Sequence, residues 1–433
     1  MKSNISNIVK HNLCHGCGGC KSICPTNAIN LQITRNGLIE PIIDDKLCTK
    51  CGLCLSVCSG KGFDFGKEYD LMFGEQPKDP WLGVYKSLET NHATDENLRF
   101  NASSGGTLTA IILYLLDNKI IDGAIVTKFS DENPLIPHVF IAKTKEDVLQ
   151  SIGSKYCPVP TNSILEQLKK VDGKYAFVGL PCHLHTLRNY LKIDKSLNDK
   201  IFITLGLMCV HTNTFNGTKY FLRNRDINIE NIKSFSYRGN GWLGGISVND
   251  GISTKFFNKK SKNLKEQQIN YISFTSSFVP KRCLVCCDHL AEFSDISFGD
   301  PRHKDYLKNE KIGKSLLVIR TEKALEIVIK MYNENILLKD KVLNIKEFYK
   351  GQNIHNKVTY KSHIILNKLF LKKNPYYFFK IPKKSAFSLS RIIKYIPSYF
   401  SQFQKSDKIL NIHYILSEKY LKPKYYIKLI RKK

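Results

Sequence analysis

The sequence lacks any long apolar run: its longest, residues 108–116, is far too short to cross a bilayer. Its first twelve residues are polar and carry two lysines, so no apolar signal core is present and a cytoplasmic location is predicted. Acidic residues are scarce, 38 Asp and Glu against 66 Lys and Arg, for a formal net charge of +28. No repeat is visible apart from one duplicated cysteine motif. At 433 residues, with 42% hydrophobic and 24% charged residues, the chain has the composition of a soluble globular protein with more than one domain. Its 14 cysteines are many for such a protein. A disulfide framework belongs to short secreted chains, whereas thiols kept reduced remain available as metal ligands.

Residues 1–62 form a cysteine-dense module. Within it, residues 29–34 alternate apolar and polar, Arg35-Asn36-Gly37 offers a turn, and residues 38–43 resume, which predicts a β-hairpin. Residues 60–80, rich in Gly, Asp, Lys and aromatics, are expected to be a linker. Over 81–213 helical and strand patterns alternate. Residues 175–178 read as a buried strand followed by Gly179-Leu180-Pro181-Cys182 and a helix, and 201–207 as a strand ending near Cys209. Residues 230–345 form a further, more β-rich region with a glycine-rich stretch at 238–245. The fold class expected is α+β: a two-cluster module, an α/β domain with a mixed sheet, and a basic helical tail over 351–433.

The duplicated motif is Cys14-x2-Cys17-x2-Cys20-x3-Cys24 and Cys48-x2-Cys51-x2-Cys54-x3-Cys58. Two copies of C-x2-C-x2-C-x3-C form the pattern of a bacterial two-cluster [4Fe–4S] ferredoxin, in which the fourth cysteine of each copy serves the other cluster. Cys14, Cys17, Cys20 and Cys58 are thus expected around one cluster, and Cys48, Cys51, Cys54 and Cys24 around the second. Zinc prefers paired C-x2-C and gives no reason for a third cysteine at the same interval, twice. The second copy departs in one respect: Ser59, not proline, follows Cys58. Of the other cysteines, Cys182 and Cys209 lie at two predicted strand ends, and Cys283-x2-Cys286 is half a metal site. On spacing alone these four either complete a third cluster or are buried small residues. Cys157 and Cys287 read as structural.

The chain also carries, in order, Ala102-Ser103-Ser104-Gly105-Gly106, Gly153-Ser154-Lys155-Tyr156, Gly179-Leu180-Pro181-Cys182-His183, Gly206-Leu207-Met208-Cys209, Tyr237-Arg238-Gly239, Cys283-x2-Cys286-Cys287-Asp288 and Ser294-Asp295-Ile296-Ser297-Phe298-Gly299-Asp300. In this order behind a ferredoxin module, they resemble the beta subunit of coenzyme F420-reducing hydrogenase and dehydrogenase, from about Cys14 to about residue 345. The resemblance implies a third [4Fe–4S] cluster on Cys182, Cys209, Cys283 and Cys286. It also implies FAD along Ser103, Ser104, Gly105, Gly106, Gly153, Ser154, Lys155 and Tyr156. A Ser-Ser-Gly-Gly run before a helix can offer hydroxyls and N–H groups to a pyrophosphate, with Lys155 adding charge and Tyr156 a stacking face; it can also be only an N-cap and a turn.

From these features the function expected is that of an iron–sulfur flavoprotein oxidoreductase. It would link a ferredoxin, an F420-type partner or another redox protein to a small organic substrate, with His183, His185 and Arg238 as candidates for substrate or flavin contacts. The alternative is an electron-transfer subunit, without its own substrate, of a larger redox or surface-polysaccharide complex. Departures at Pro301-Arg302-His303, and His183 where the family more often has Gln, bear on the substrate.

Residues 351–433 hold 19 Lys and Arg against 2 Asp and Glu. Phe387, Leu389, Ile392, Ile393, Ile396, Tyr399, Phe400 and Phe403 have near-helical spacing there, interrupted by Pro397. Peripheral membrane contact, docking of an acidic ferredoxin and a solvated basic face are three readings of this tail. No nucleic-acid-binding motif accompanies the charge, so no nucleic-acid partner is expected.

Overall fold

The computed structural model describes residues 4–258, 263–352 and 376–378. The readings of the basic tail therefore lie outside the described residues, apart from those three positions. The strands in chain order are β1 (Ile29–Ile33), β2 (Ile39–Ile43), β3 (Gly62–Asp64), β4 (Ser87–Ala93), β5 (Gly123–Phe129), β6 (Pro137–Ala142), β7 (Tyr175–Gly179), β8 (Ile201–Leu207), β9 (Ser234–Ser236), β10 (Gly245–Asn249), β11 (Thr254–Asn258), β12 (Ile296–Gly299), β13 (Ser315–Ile319), β14 (Leu337–Val342) and β15 (Tyr376–Phe378). β1 and β2 are the predicted hairpin, with Ile29 opposite Ile43 and Gly37 left-handed in the turn at φ +72°.

An eight-stranded sheet in the order β14-β4-β13-β12-β8-β7-β5-β6 makes the protein α+β. Its centre, β12, β8, β7 and β5, is parallel, and the remaining neighbours pair antiparallel. The sheet takes strands from both the 81–213 and the 230–345 regions. Central strands such as Ser315–Ile319 are buried along their whole length, as expected where both faces are covered. On one face lie the helices Thr107–Asp117 and Glu322–Asn333, whose Ile111, Leu115, Val328 and Met331 pack with Ala176, Leu205 and Leu317 of the sheet. The other face carries the helix Pro181–Ile193.

The cysteine module sits on that second face. Ile5, Ile8, Leu13, Ile23 and Val57 share one core with Leu184, Leu187 and Tyr190 of the helix and with Ile125 and Phe177 of the sheet. Residues 60–80 are not the expected linker. They form β3 and the helix Phe65–Phe73, capped by Asp64, whose carboxylate accepts from Lys67 N. Phe63, Phe65 and Tyr69 bury against Phe293 and Cys287. The aromatics of this stretch are the residues that bind it to the body.

Tyr69 also hydrogen-bonds the buried carboxylate of Glu292, beside Arg320. Arg320 is fully buried and donates to Ser297 Oγ (3.0 Å) and to the carbonyls of Leu82 (3.1 Å), Val84 (2.6 Å) and Leu290 (3.2 Å). A guanidinium with four protein acceptors is a knot joining β13, the 82–84 turn and the segment after Cys287. Arg320→Leu would leave three carbonyls and Glu292 without their cation. The expected cost is about 3–5 kcal/mol, read as the shift in equilibrium unfolding by urea; an unchanged midpoint would contradict it.

Candidate functional site

In the N-terminal module both motif copies fold alike. Gly16 and Lys50, and then Gly18 and Gly52, occupy equivalent positions and are all left-handed, with φ of +77°, +54°, +83° and +85°. Each of the second pair precedes a short helix, Gly19–Ser22 or Leu53–Val57, that carries the third cysteine of its motif. A side chain at Gly18 would meet Ser163 at 2.8 Å, so glycine is required there both for its backbone angle and for close packing.

Cys14, Cys17, Cys20 and Cys58 line one cavity together with His15 and Thr186. Burial pushes the Cys14 thiol well up, and Cys58 and Cys17 push it further. Burial does the same to Cys20, and Cys17, Cys14 and Cys58 push it further. The fourth cysteine of the second copy has thus come to the first three of the first copy. Conversely, Cys54 is raised by burial and then by Cys51 and by Cys24, the fourth cysteine of the first copy. Cys51 is exposed, whereas Cys17 and Cys20 are buried.

A third group forms at the sheet's carboxyl edge. Cys182 lies in the first turn of the helix after β7, Cys209 just past β8, Cys283 within the helix Lys281–Leu284, and Cys286 just beyond it. Burial raises the Cys182 thiol, followed by Cys286, Cys209 and Cys283. Cys209 is raised by burial, then by Cys283 and Cys286, and Cys283 is pushed to about 11 by burial, with Cys286 adding to it. Thiols crowded in a dry interior repel one another as thiolates; a bound cationic centre removes that cost, so the donor sets fit clusters. The three groups stand in series. Cys20 also feels Cys54 of the exposed group, and Cys182 also feels Cys17 of the buried one. Cys157 and Cys287 stay apart in apolar surroundings, beside Tyr237 and among Phe63, Phe65 and Phe293 respectively.

The glycine–serine segments meet on the same edge. Ser103 Oγ accepts from Ser154 N (2.8 Å) and Ser154 Oγ (2.9 Å), while Ser104 Oγ donates to the Lys314 carbonyl (2.5 Å). Gly105 lies so close to β4 and β13 that a Cβ would meet Ser315 N at 2.6 Å and Asn91 O at 2.9 Å; Gly106, at φ +76°, leads into the helix Thr107–Asp117. Arg238 joins both segments. It donates to the Ser103 carbonyl and to Tyr156 Oη (3.4 Å), and pairs with Asp300 at 2.8 Å, just past β12. Burial would raise the Asp300 carboxyl, but the Arg238 guanidinium outweighs it and holds it below the usual range. Trp242 Nε1 donates to the same carboxylate (3.0 Å). Among the described residues the buried Arg238 Nε has no partner, leaving one donor free for an anion such as a phosphate.

Lys155 turns inward. Its ammonium donates to the carbonyls of Ser151 (2.6 Å), Gly153 (2.9 Å) and Ile152 (3.2 Å) at the end of a helix, and burial brings it down to about 7. The three candidate contact residues do not gather in one place. His183 is buried and held neutral, its pKa lowered to about 3 by burial, and lies beside His15 and Cys182. His185 stacks on Phe63, with ring centroids 4.1 Å apart, and bonds Asp288 at 3.0 Å. Both belong to the seam between module and body, whereas Arg238 belongs to the glycine–serine wall. Asp300 and Trp242 were missed as site residues. Phe298-Gly299-Asp300 was visible as part of a segment that carries the family resemblance, but nothing in the sequence pairs it with Arg238.

Three family models match the chain. The 4Fe-4S dicluster domain matches residues 13–61, and the N-terminal and C-terminal domains of the coenzyme F420 hydrogenase/dehydrogenase beta subunit match 90–166 and 172–342. Among similar curated proteins, the beta subunit of the coenzyme F420 hydrogenase of Methanococcus voltae is 27% identical over 271 residues, covering 61% of this chain and 88% of that protein. A subunit of the F(420)H(2) dehydrogenase of Methanosarcina mazei is 25% identical over 74% of this chain and 83% of that protein. The coenzyme F420-dependent sulfite reductase of Methanocaldococcus jannaschii is 27% identical over 75% of this chain, which spans 46% of that protein. A chain from the F420-reducing [NiFe] hydrogenase complex of Methanosarcina barkeri shares the fold, with TM-score 0.50 and 23% identity over 68% of this chain and 93% of that one.

The crossed cysteine arrangement has a direct test in anaerobically reconstituted protein. Cys14→Ser and Cys58→Ser should perturb one electron paramagnetic resonance signal, and Cys24→Ser and Cys51→Ser the other. If Cys58→Ser altered the same signal as Cys51→Ser, the arrangement would be wrong.

Proposed function

Because the chain belongs to the family of coenzyme F420 hydrogenase/dehydrogenase beta subunits and carries a 4Fe-4S dicluster domain, we propose that it is an iron–sulfur flavoprotein oxidoreductase working in the cytoplasm. In this reading Cys14, Cys17, Cys20 and Cys58 hold one [4Fe–4S] cluster, and Cys24, Cys48, Cys51 and Cys54 the second. Cys182, Cys209, Cys283 and Cys286 hold a third. The Ser103–Gly106 and Gly153–Tyr156 segments, together with Arg238, hold FAD. When bound, such clusters exchange single electrons and a flavin exchanges two, so together they link one-electron partners to hydride chemistry.

The protein's own residues then have distinct tasks. The exposed Cys51 marks the face open to a redox partner. Cys17 and Cys20 of the first group are kept from water by the core shared between module and body. Arg238, fixed as a cation by Asp300, supplies a permanent positive charge, with a free Nε–H, on the wall where an anionic cofactor or substrate would lie. The observation that carries the reading is this one edge: Cys182, Cys209 and Asp300 all follow the carboxyl ends of neighbouring parallel strands, where open α/β sheets bind ligands.

A second reading is favoured by the names of two relatives, which are parts of larger enzymes: the beta subunit of a coenzyme F420 hydrogenase and a subunit of an F(420)H(2) dehydrogenase. In that reading this chain passes electrons to or from a neighbouring protein of a complex and has no substrate of its own.

Anaerobic reduction with dithionite, followed by reoxidation against a panel of F420, nicotinamides, small organic acceptors and a ferredoxin, separates the two. An oxidoreductase retains flavin and is reoxidised by a small-molecule member of the panel with saturation kinetics. Flavin retained but reoxidised only by ferredoxin-like proteins would favour the second reading. Reconstituted protein that holds iron but no flavin would overturn the proposal.

A further inference from the structure

The two motif copies differ in the residue after the fourth cysteine: Pro25 follows Cys24, but Ser59 follows Cys58. Pro25 is exposed, whereas Ser59 is fully buried where the module meets the helix Pro181–Ile193. The module's pseudo-symmetry breaks at this contact. Ser59 Oγ bonds His15 Nε2 (2.7 Å), accepts from Thr186 Oγ1 (3.0 Å) and donates to the Cys182 carbonyl (3.2 Å). The Ser59 carbonyl accepts from Arg282 Nη2 at 3.1 Å. One serine thus touches neighbours of Cys14, Cys182 and Cys283.

Thr186 is fully buried, one helical turn beyond Cys182, and its Oγ1 lies 3.5 Å from Cys17 Sγ. The fit is tight: a Cβ on Gly19 would meet Thr186 Cγ2 at 2.4 Å. In the thiol form Cys17 donates to the threonine. Once the sulfur ligates iron it carries no proton, and the single proton of the threonine hydroxyl has two acceptors beside it, the Cys17 sulfur and the Ser59 oxygen. A threonine within a helix has a competing acceptor, the carbonyl four residues back, which here is that of Cys182. Ser59 already donates to that carbonyl.

We propose that the Thr186 hydroxyl donates to the Cys17 sulfur when that sulfur ligates iron, that this hydrogen bond raises the reduction potential of the cluster held by Cys14, Cys17, Cys20 and Cys58, and that Ser59 is a positioning residue that competes for the same proton and so holds the potential down. Hydrogen bonds to ligand sulfur stabilise the reduced, more negative state of a cluster. Ser59 acts through Thr186, by offering its own oxygen as the alternative acceptor of the threonine proton. The inference rests on the dicluster part of the functional reading alone, since it concerns Cys17 and needs neither the third cluster nor the flavin.

The test is a redox titration of the reconstituted chain followed by electron paramagnetic resonance, with iron measured on every sample. Thr186→Val should lower one cluster potential by about tenfold in the one-electron equilibrium, ~59 mV. Ser59→Ala, which removes the competing acceptor, should raise the same potential, and the double variant should match Thr186→Val alone. Thr186→Ser, which keeps the hydroxyl, should stay near wild type. Unmoved potentials in iron-replete single variants, or additive shifts in the double variant, would overturn the inference. Should Thr186→Val shed iron, Ser59→Ala, which leaves the helix face intact, decides alone. Wild-type protein lacking only the third cluster would count against the wider functional reading and leave this measurement standing.

Discussion

The seating of the cysteine module on the helix Pro181–Ile193 is the contact on which the rest depends. Gly19 lies against Thr186 with no room for a Cβ, and Ser59 is buried beside them. Leu184, Leu187 and Tyr190 of that helix belong to the module's core as much as to the sheet's. The helix begins with Cys182, so whatever fixes it relative to the module also fixes the spacing between two groups of thiols. Burial has the same origin. Cys17 and Cys20 are removed from water because two apolar surfaces close over them, and burial is the largest influence on these two thiols and on Cys182.

A second constraint comes from the sheet. Four central parallel strands bring their carboxyl ends to one edge, and the antiparallel neighbour β13 begins there, with Leu316 opposite Gly299. The edge therefore collects residues far apart in sequence: Gly105 against Ser315, Arg238 against Asp300, and Cys182 near Cys286. Behind it, Arg320 and Glu292 tie the helix Phe65–Phe73 to the sheet. A charged pair of this kind, with its hydrogen bonds satisfied, is tolerated in a core and costly to break.

Much of this was legible in the sequence. The ferredoxin spacing carried its own crossed arrangement, because the three-residue gap before each fourth cysteine sends it away from its own loop. The hairpin and the strands β7 and β8 followed from periodicity and short buried runs. Other features were not legible, for physical reasons. Gly, Asp and Lys made residues 60–80 resemble a linker, and only tertiary packing shows that Phe63, Phe65 and Tyr69 bury against Phe293. Lys155 is the type of residue that binds phosphate, yet its ammonium turns back onto the carbonyls just past the helix Lys145–Gln150. Ser59 was visible as a departure from proline, but its partners are more than forty residues away in sequence on either side. Long-range hydrogen bonds leave no periodic trace.

The central claim is that the cysteines form three metal-holding groups in series. Iron and acid-labile sulfide measured per chain after anaerobic reconstitution test it most directly. The account predicts about twelve of each, falling to about eight in a Cys182→Ala, Cys209→Ala double variant that keeps its fold. About eight in both proteins would contradict the third group, and about four or fewer in the unaltered chain would contradict the account as a whole.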